Sequence, residues 1–211
     1  YVLPTKPKPS EKYLELIEAY KHLHKEEGKF QGISIVPFVV DLYSIIQYNK
    51  CKSLLDYGCG KAVGYTQNFK NIDPKKKIPN FNVPLHTYWG IEDLSLYDPG
   101  TLEYPTLPSK KADIVLCTDV LEHIPEEDLD WLIREICSLA NTTVFLNISC
   151  QLAKKTFTTG KYKGENVHVS VFDHAWWVDK IKTIHKDYKE LKIYLTCTSK
   201  EGILGTCIKG D

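Results

Sequence analysis

Three features of the sequence predict a doubly wound α/β fold built on a mostly parallel sheet. Short apolar runs, such as Ser53–Tyr57 and residues 113–117, alternate with segments whose apolar residues recur at helical spacing. Those runs carry no polar alternation, which is the pattern of strands buried on both faces. The last two runs, 192–198 and 203–208, are joined by Lys200, Glu201 and Gly202, a hairpin-type turn that adds an antiparallel edge. Helices are therefore expected on both faces of the sheet.

The elements follow in order. Residues 1–10 are rich in Pro and Lys without an apolar segment, so they read as a loose tail and not as a secretory or transit signal. Ser10 caps a helix whose apolar face is Tyr13, Leu16, Ile17, Tyr20 and Leu23. After Gly28 and Gly32, Ser34 as a cap and Pro37 in the first turn predict a second helix running to about Tyr48. The strand Ser53–Tyr57 then runs into Gly58, Cys59 and Gly60, and residues 61–70 open a helix. Residues 71–84 read as an exposed loop, and a second short strand at 95–97 ends in the turn Asp98-Pro99-Gly100.

Residues 101–111 hold Pro105 and Pro108 with no period, so the third strand of a full doubly wound sheet is expected to be missing or reduced. Residues 113–117 form a buried strand. Pro125 and the acidic turn Glu126, Glu127 and Asp128 start a helix whose stripe is Leu129, Leu132, Ile133, Ile136, Leu139 and Ala140. A strand at 143–148 follows. Residues 151–168 make a polar excursion, long enough for a lid and equally readable as a solvated loop. The helix His174–His185 opens with Trp176 and Trp177, whose side chains must diverge; one of them is a candidate for lining a substrate pocket.

Composition narrows the function classes. A chain of 211 residues supports one domain, and no apolar run approaches the ~20 residues needed to cross a bilayer. The seven cysteines are scattered and lack any C-x-x-C pair, which argues against a disulfide framework and against a zinc site; no metal site is expected. A reducing, cytoplasmic setting fits them. Lys plus Arg and Asp plus Glu balance at 27 each, and Arg134 is the only arginine, so the forked contacts and basic face of a nucleic-acid reader are absent. A small-molecule partner is expected, with no nucleic acid and no membrane.

The sharpest feature is Leu54-Leu55-Asp56-Tyr57-Gly58-Cys59-Gly60, a strand entering a glycine turn where backbone can approach a ligand. The acidic Asp56 would crowd a pyrophosphate, and Val63 stands where a G-x-G-x-x-G pattern has Gly or Ala. An S-adenosylmethionine (SAM) ligand carries a sulfonium and an amino group, which a carboxylate favours.

This heptapeptide resembles motif I of class I, Rossmann-like, SAM-dependent methyltransferases, and residues 112–125 resemble that family's fourth-strand motif. The resemblance spans about 53–208, with 1–50 as a helical cap on a core of 51–211. It implies methyl transfer by in-line displacement, with SAM as cofactor and S-adenosylhomocysteine as product; the balanced charge points to a small-molecule or metabolite acceptor. It further implies that Asp56, Tyr57, Gly58, Cys59 and Gly60 line the methionine portion, that Asp98 accepts the ribose hydroxyls, and that Thr118 and Asp119 lie beside the cofactor. His123 and His168 are the candidate bases, and the N-terminal helices close the acceptor side. The lesser alternative for Asp98 is a mere turn residue before Pro99. Two positions depart from the family: Ala62 replaces the third motif glycine, and the short segment after Asp98 removes a usual source of adenine contacts. The rival readings are a non-catalytic binding module of the same fold and an NAD-linked oxidoreductase.

Overall fold

A computed structural model describes residues 9–25, 29–67, 83–158 and 160–210. The expected loose tail lies outside these residues except at its last two, and so does nearly all of the expected loop at 71–84. Six strands form one sheet: β1 (Ser53–Tyr57), β2 (Asp93–Tyr97), β3 (Ala112–Thr118), β4 (Ala140–Ser149), β5 (Lys192–Ser199) and β6 (Gly202–Ile208). Their order is β2-β1-β3-β4-β5-β6, parallel throughout except for the closing β5–β6 pair. No strand forms between β2 and β3. The chain leaves β1 for β2 on one side and returns to β3 on the other, so a crevice opens at the carboxyl ends of β1 and β3.

The period of two along each strand sorts the core into two layers. Leu54, Ile114, Leu116 and Phe145 face the layer built with α2 (Val39–Tyr48) and α4 (Leu85–Trp89). Leu55, Val115, Val144, Leu146 and Ile193 face the layer built with α5 (Glu126–Ser138) and α6 (His174–His185). α1 (Glu11–His24) is a docked helix. Ser10 donates to the buried Asp128 carboxylate from both its amide, at 2.8 Å, and its hydroxyl, at 2.5 Å, while its Oγ accepts the Tyr13 amide. The cap of α1 is thereby bonded to the first turn of α5.

Three local expectations are corrected, and one helix is added. Ser34 caps nothing: Val36–Phe38 form a 3-10 turn around Pro37, α2 starts at Val39, and the Ser34 hydroxyl donates to Asp119. The helix after the glycine turn, α3, is only Val63–Thr66 among the described residues. α5 stops at Ser138; Leu139 is its cap and Ala140 opens β4 opposite Ala112, because strand pairing takes over where the apolar stripe alone would continue. α4 has no counterpart in the sequence reading. It is one turn long, too short for a period, and is held by burial of Leu85 and Trp89 and by Trp89 Nε1 donating to the Val39 carbonyl.

Candidate functional site

A cleft of about 900 Å³ lies at the carboxyl ends of β1, β2 and β3. Its walls include Asp56 through Gly60, Asp98, Thr118 and Asp119, so all eight residues expected to line a cofactor meet in one cavity. α1 covers it with Tyr13, Tyr20 and His24, and Phe30 completes the cover. The N-terminal helix thus closes the glycine-turn cleft itself. His24 and Phe30 went unassigned in the sequence, and Tyr13 and Tyr20 were read there only as part of the apolar face of α1.

The glycines have a different cause from the one their pattern suggests. A Cβ on Gly58, at φ +88°, would sit 2.3 Å from Val120 Cγ2, and one on Gly60, at φ +57°, would sit 2.5 Å from the Phe30 carbonyl oxygen. The space they leave is filled by the chain. Segment 30–31 is bonded onto the turn, with the Lys61 amide donating to the Phe30 carbonyl at 2.8 Å and the Val63 amide to the Gln31 carbonyl at 3.1 Å. Ala62 adopts φ +51°, a left-handed conformation that costs a residue with a Cβ about 1–2 kcal/mol.

Asp98 is a turn residue that also fastens the glycine turn. Oδ1 accepts the Gly100 amide at 2.7 Å within its own turn, and Oδ2 accepts the Gly60 amide at 2.9 Å across the cleft floor. Each carboxylate oxygen retains a second lone pair for a ligand. Asp56 is 3% exposed, and its Oδ1 has no hydrogen-bond partner. Burial raises its pKa to about 7, opposed by the nearby Tyr65 hydroxyl and reinforced by the Asp98 charge. Burial also pushes the Cys59 thiol upward, which makes it an inert wall and not a nucleophile.

Beyond β3 the chain turns at Asp119, held at φ +61° with its amide donating to the Asn147 carbonyl. The next turn buries Glu122 completely. Its Oε1 accepts the Ser149 amide at 2.6 Å, its carbonyl accepts the Val169 and Ser170 amides, and its Oε2 has no partner. Burial, with the Asp119 charge nearby, raises the Glu122 pKa well above the carboxylate range. The signal for this residue was in the sequence: a glutamate between Leu121 and Ile124 is a charge inside an apolar run.

His123 and His168 stand together, their ring centroids 4.7 Å apart at an interplanar angle of 83°. His123 Nδ1 lies 2.9 Å from the Val167 carbonyl and 2.8 Å from the Tyr20 hydroxyl, and that hydroxyl donates to the same carbonyl. Burial lowers the His123 pKa to about 4. His168 Nδ1 lies 2.6 Å from the Gln151 carbonyl. His123 lines the first cleft, whereas His168 lines a second cavity of about 1190 Å³. The two cavities share Phe30, Gly32, Ser34, Asp119 and His123, and Lys154 and Lys155 stand on the second.

The excursion at 151–168 is a packed lobe. Phe157, Tyr162 and Val167 bury against Leu16, Tyr20 and Leu23 of α1. Neither tryptophan lines either of these two cavities: Trp177 is fully buried in the core and Trp176 stacks on Phe172 at 3.8 Å. No helix among the described residues is long and apolar enough to cross a membrane. No protein-family profile, no curated protein and no solved structure matches this chain.

Proposed function

We propose that the chain is a SAM-dependent methyltransferase acting on a small-molecule acceptor. The charge of the first cleft carries this reading: Asp56, Asp98 and Asp119 line it, and no Lys or Arg does among the described residues. Its two histidines, His24 and His123, are pushed toward the neutral form by burial. A sulfonium and an amino group are attracted by such a wall, and a dinucleotide pyrophosphate is repelled by it. α3, only four residues long among those described, gives a weak helix dipole at the turn where a pyrophosphate normally rests on a longer helix.

Bound SAM would supply a methyl group already activated on sulfur. The chain's task is then alignment and exclusion of water, and orientation contributes up to about 7–11 kcal/mol. Asp98 offers the two acceptor positions that ribose hydroxyls need; Asp56 and the turn through Gly60 would hold the methionine portion. The acceptor would enter from the second cavity, across the shared wall of Asp119 and His123. With a pKa near 4, His123 is a poor match for a general base at neutral pH and serves better to orient. His168 lies on the acceptor side, where a base would act.

The non-catalytic alternative draws on the missing strand after β2, which removes one source of adenine contacts; methyl turnover separates it from the enzyme. The cofactor reading is tested by thermal unfolding with added SAM. A ligand at a hundred times its Kd adds about 2.7 kcal/mol, which in a chain of this size raises Tm by about 5–10 °C. A shift with NADH and none with SAM would reverse the assignment.

A further inference from the structure

We infer that Asp119, His123 and His168 form a binding site for a divalent first-row transition-metal ion. One ligand atom from each residue lies within 4.8 Å of the others, and the three come from two separate segments, the turn after β3 and the end of the 151–168 lobe. The cluster is empty of ions.

Three independent features favour an ion here. The first is the tautomer of both rings. A backbone carbonyl can only accept, so the Gln151 carbonyl at His168 Nδ1 requires the proton there. The Val167 carbonyl imposes the same on His123, since the Tyr20 hydroxyl spends its own proton on that carbonyl and can only accept from the ring. Both Nε2 atoms therefore carry a free lone pair. A carbonyl on Nδ1–H that leaves Nε2 free is the way metal-binding histidines are commonly held.

The second feature is a carboxylate already in place: Asp119 is held by the Ser34 hydroxyl, which donates to it at 3.0 Å. The third is stored strain: Asp119 is held at φ +61°, in the left-handed region, which turns its side chain toward the histidines.

The donor set selects the ion. Two imidazoles and one carboxylate suit Zn²⁺, Fe²⁺ or Co²⁺, whereas Mg²⁺ and Ca²⁺ prefer all-oxygen shells. Bonds of about 2.0–2.2 Å place tetrahedral ligands about 3.3–3.6 Å apart, so the side chains close by about an ångström on binding. Three protein ligands leave a coordination position open, the mark of a catalytic site as opposed to a structural one. Asp119, His123 and His168 all line the second cavity, so that position is available to a heteroatom of whatever occupies it.

The test is calorimetric titration of the chelator-treated full chain with Zn²⁺, with Mg²⁺ as comparison, and the visible spectrum of the Co²⁺ form. One Zn²⁺ per chain at micromolar affinity or better, weak Mg²⁺ binding, and a Co²⁺ spectrum without a thiolate charge-transfer band are expected. His168→Ala and Asp119→Asn should each weaken Zn²⁺ at least tenfold, while His22→Ala, on the exposed face of α1, should leave it unchanged. Asp119 is exposed, so Asp119→Asn carries the test if His168→Ala fails to fold. Absence of saturable binding by the folded protein would overturn the site, as would binding indifferent to both variants. No step requires SAM, so failure here leaves the methyltransferase reading intact, and the converse holds.

Discussion

Asp98 accepts the Gly60 amide at 2.9 Å, so the carboxylate that ends β2 also fastens the glycine turn that follows β1. The same side chain holds the Gly100 amide, and both bonds are lost together when it is removed.

Asp98→Ala is therefore expected to do two things. SAM affinity should fall by about 1.5–3 kcal/mol, roughly ten- to a hundredfold, as a hydrogen bond to a charged group disappears. Stability should fall as well, because two amides lose their acceptor. Calorimetry and thermal unfolding read the two effects separately, and unchanged SAM affinity would refute the ribose role.

Asp56 gives the cleft a pH dependence. Its carboxyl is neutral below its pKa of about 7 and charged above it, so affinity for a cationic ligand should rise between pH 6 and 8. The folded pKa lies above the unfolded value, which means that the group's stabilising contribution is complete below about pH 4 and is lost as pH rises through 7. Asp56→Asn should thus stabilise the fold at pH 8 by at most about 4 kcal/mol, read as a higher Tm, while flattening the pH dependence of SAM binding. A Tm that falls at pH 8 would contradict this.

Gly58 and Gly60 should respond differently to repair. Gly58→Ala clashes with the Val120 side chain, so Val120→Ala in the same chain should restore part of the lost Tm. Gly60→Ala meets backbone at Phe30, and no trimming of a side chain relieves that. Equal rescue of both by Val120→Ala would show that the turn is held in some other way.

The tryptophan pair separates core from surface. Trp177→Ala removes a fully buried ring and should cost about 3–5 kcal/mol. Trp176→Ala should cost well under half of that and leave SAM affinity unchanged, since this ring stacks on Phe172 away from both cavities. Urea unfolding of the two variants checks the contrast.

Much of this architecture was legible in the sequence because it rests on local signals. β1 and α6 coincide with the spans read for them, Ser53–Tyr57 and His174–His185. Ser10 caps as its type and position imply. What escaped is non-local. Ser34 has the composition of a cap, yet its hydroxyl is claimed by Asp119, 85 residues away in sequence. The packing of Phe30 against Gly60 depends on a backbone crossing that no pattern in either segment encodes. Likewise, the pairing of His123 with His168 follows from two carbonyls that fix their rings, which side-chain types alone do not reveal.

The central claim is tested most directly by isothermal titration of the purified chain with SAM, with S-adenosylhomocysteine and with NADH. Micromolar binding of SAM and its demethylated product, and none of NADH, is the predicted result. A folded protein that binds neither member of the SAM pair would contradict it.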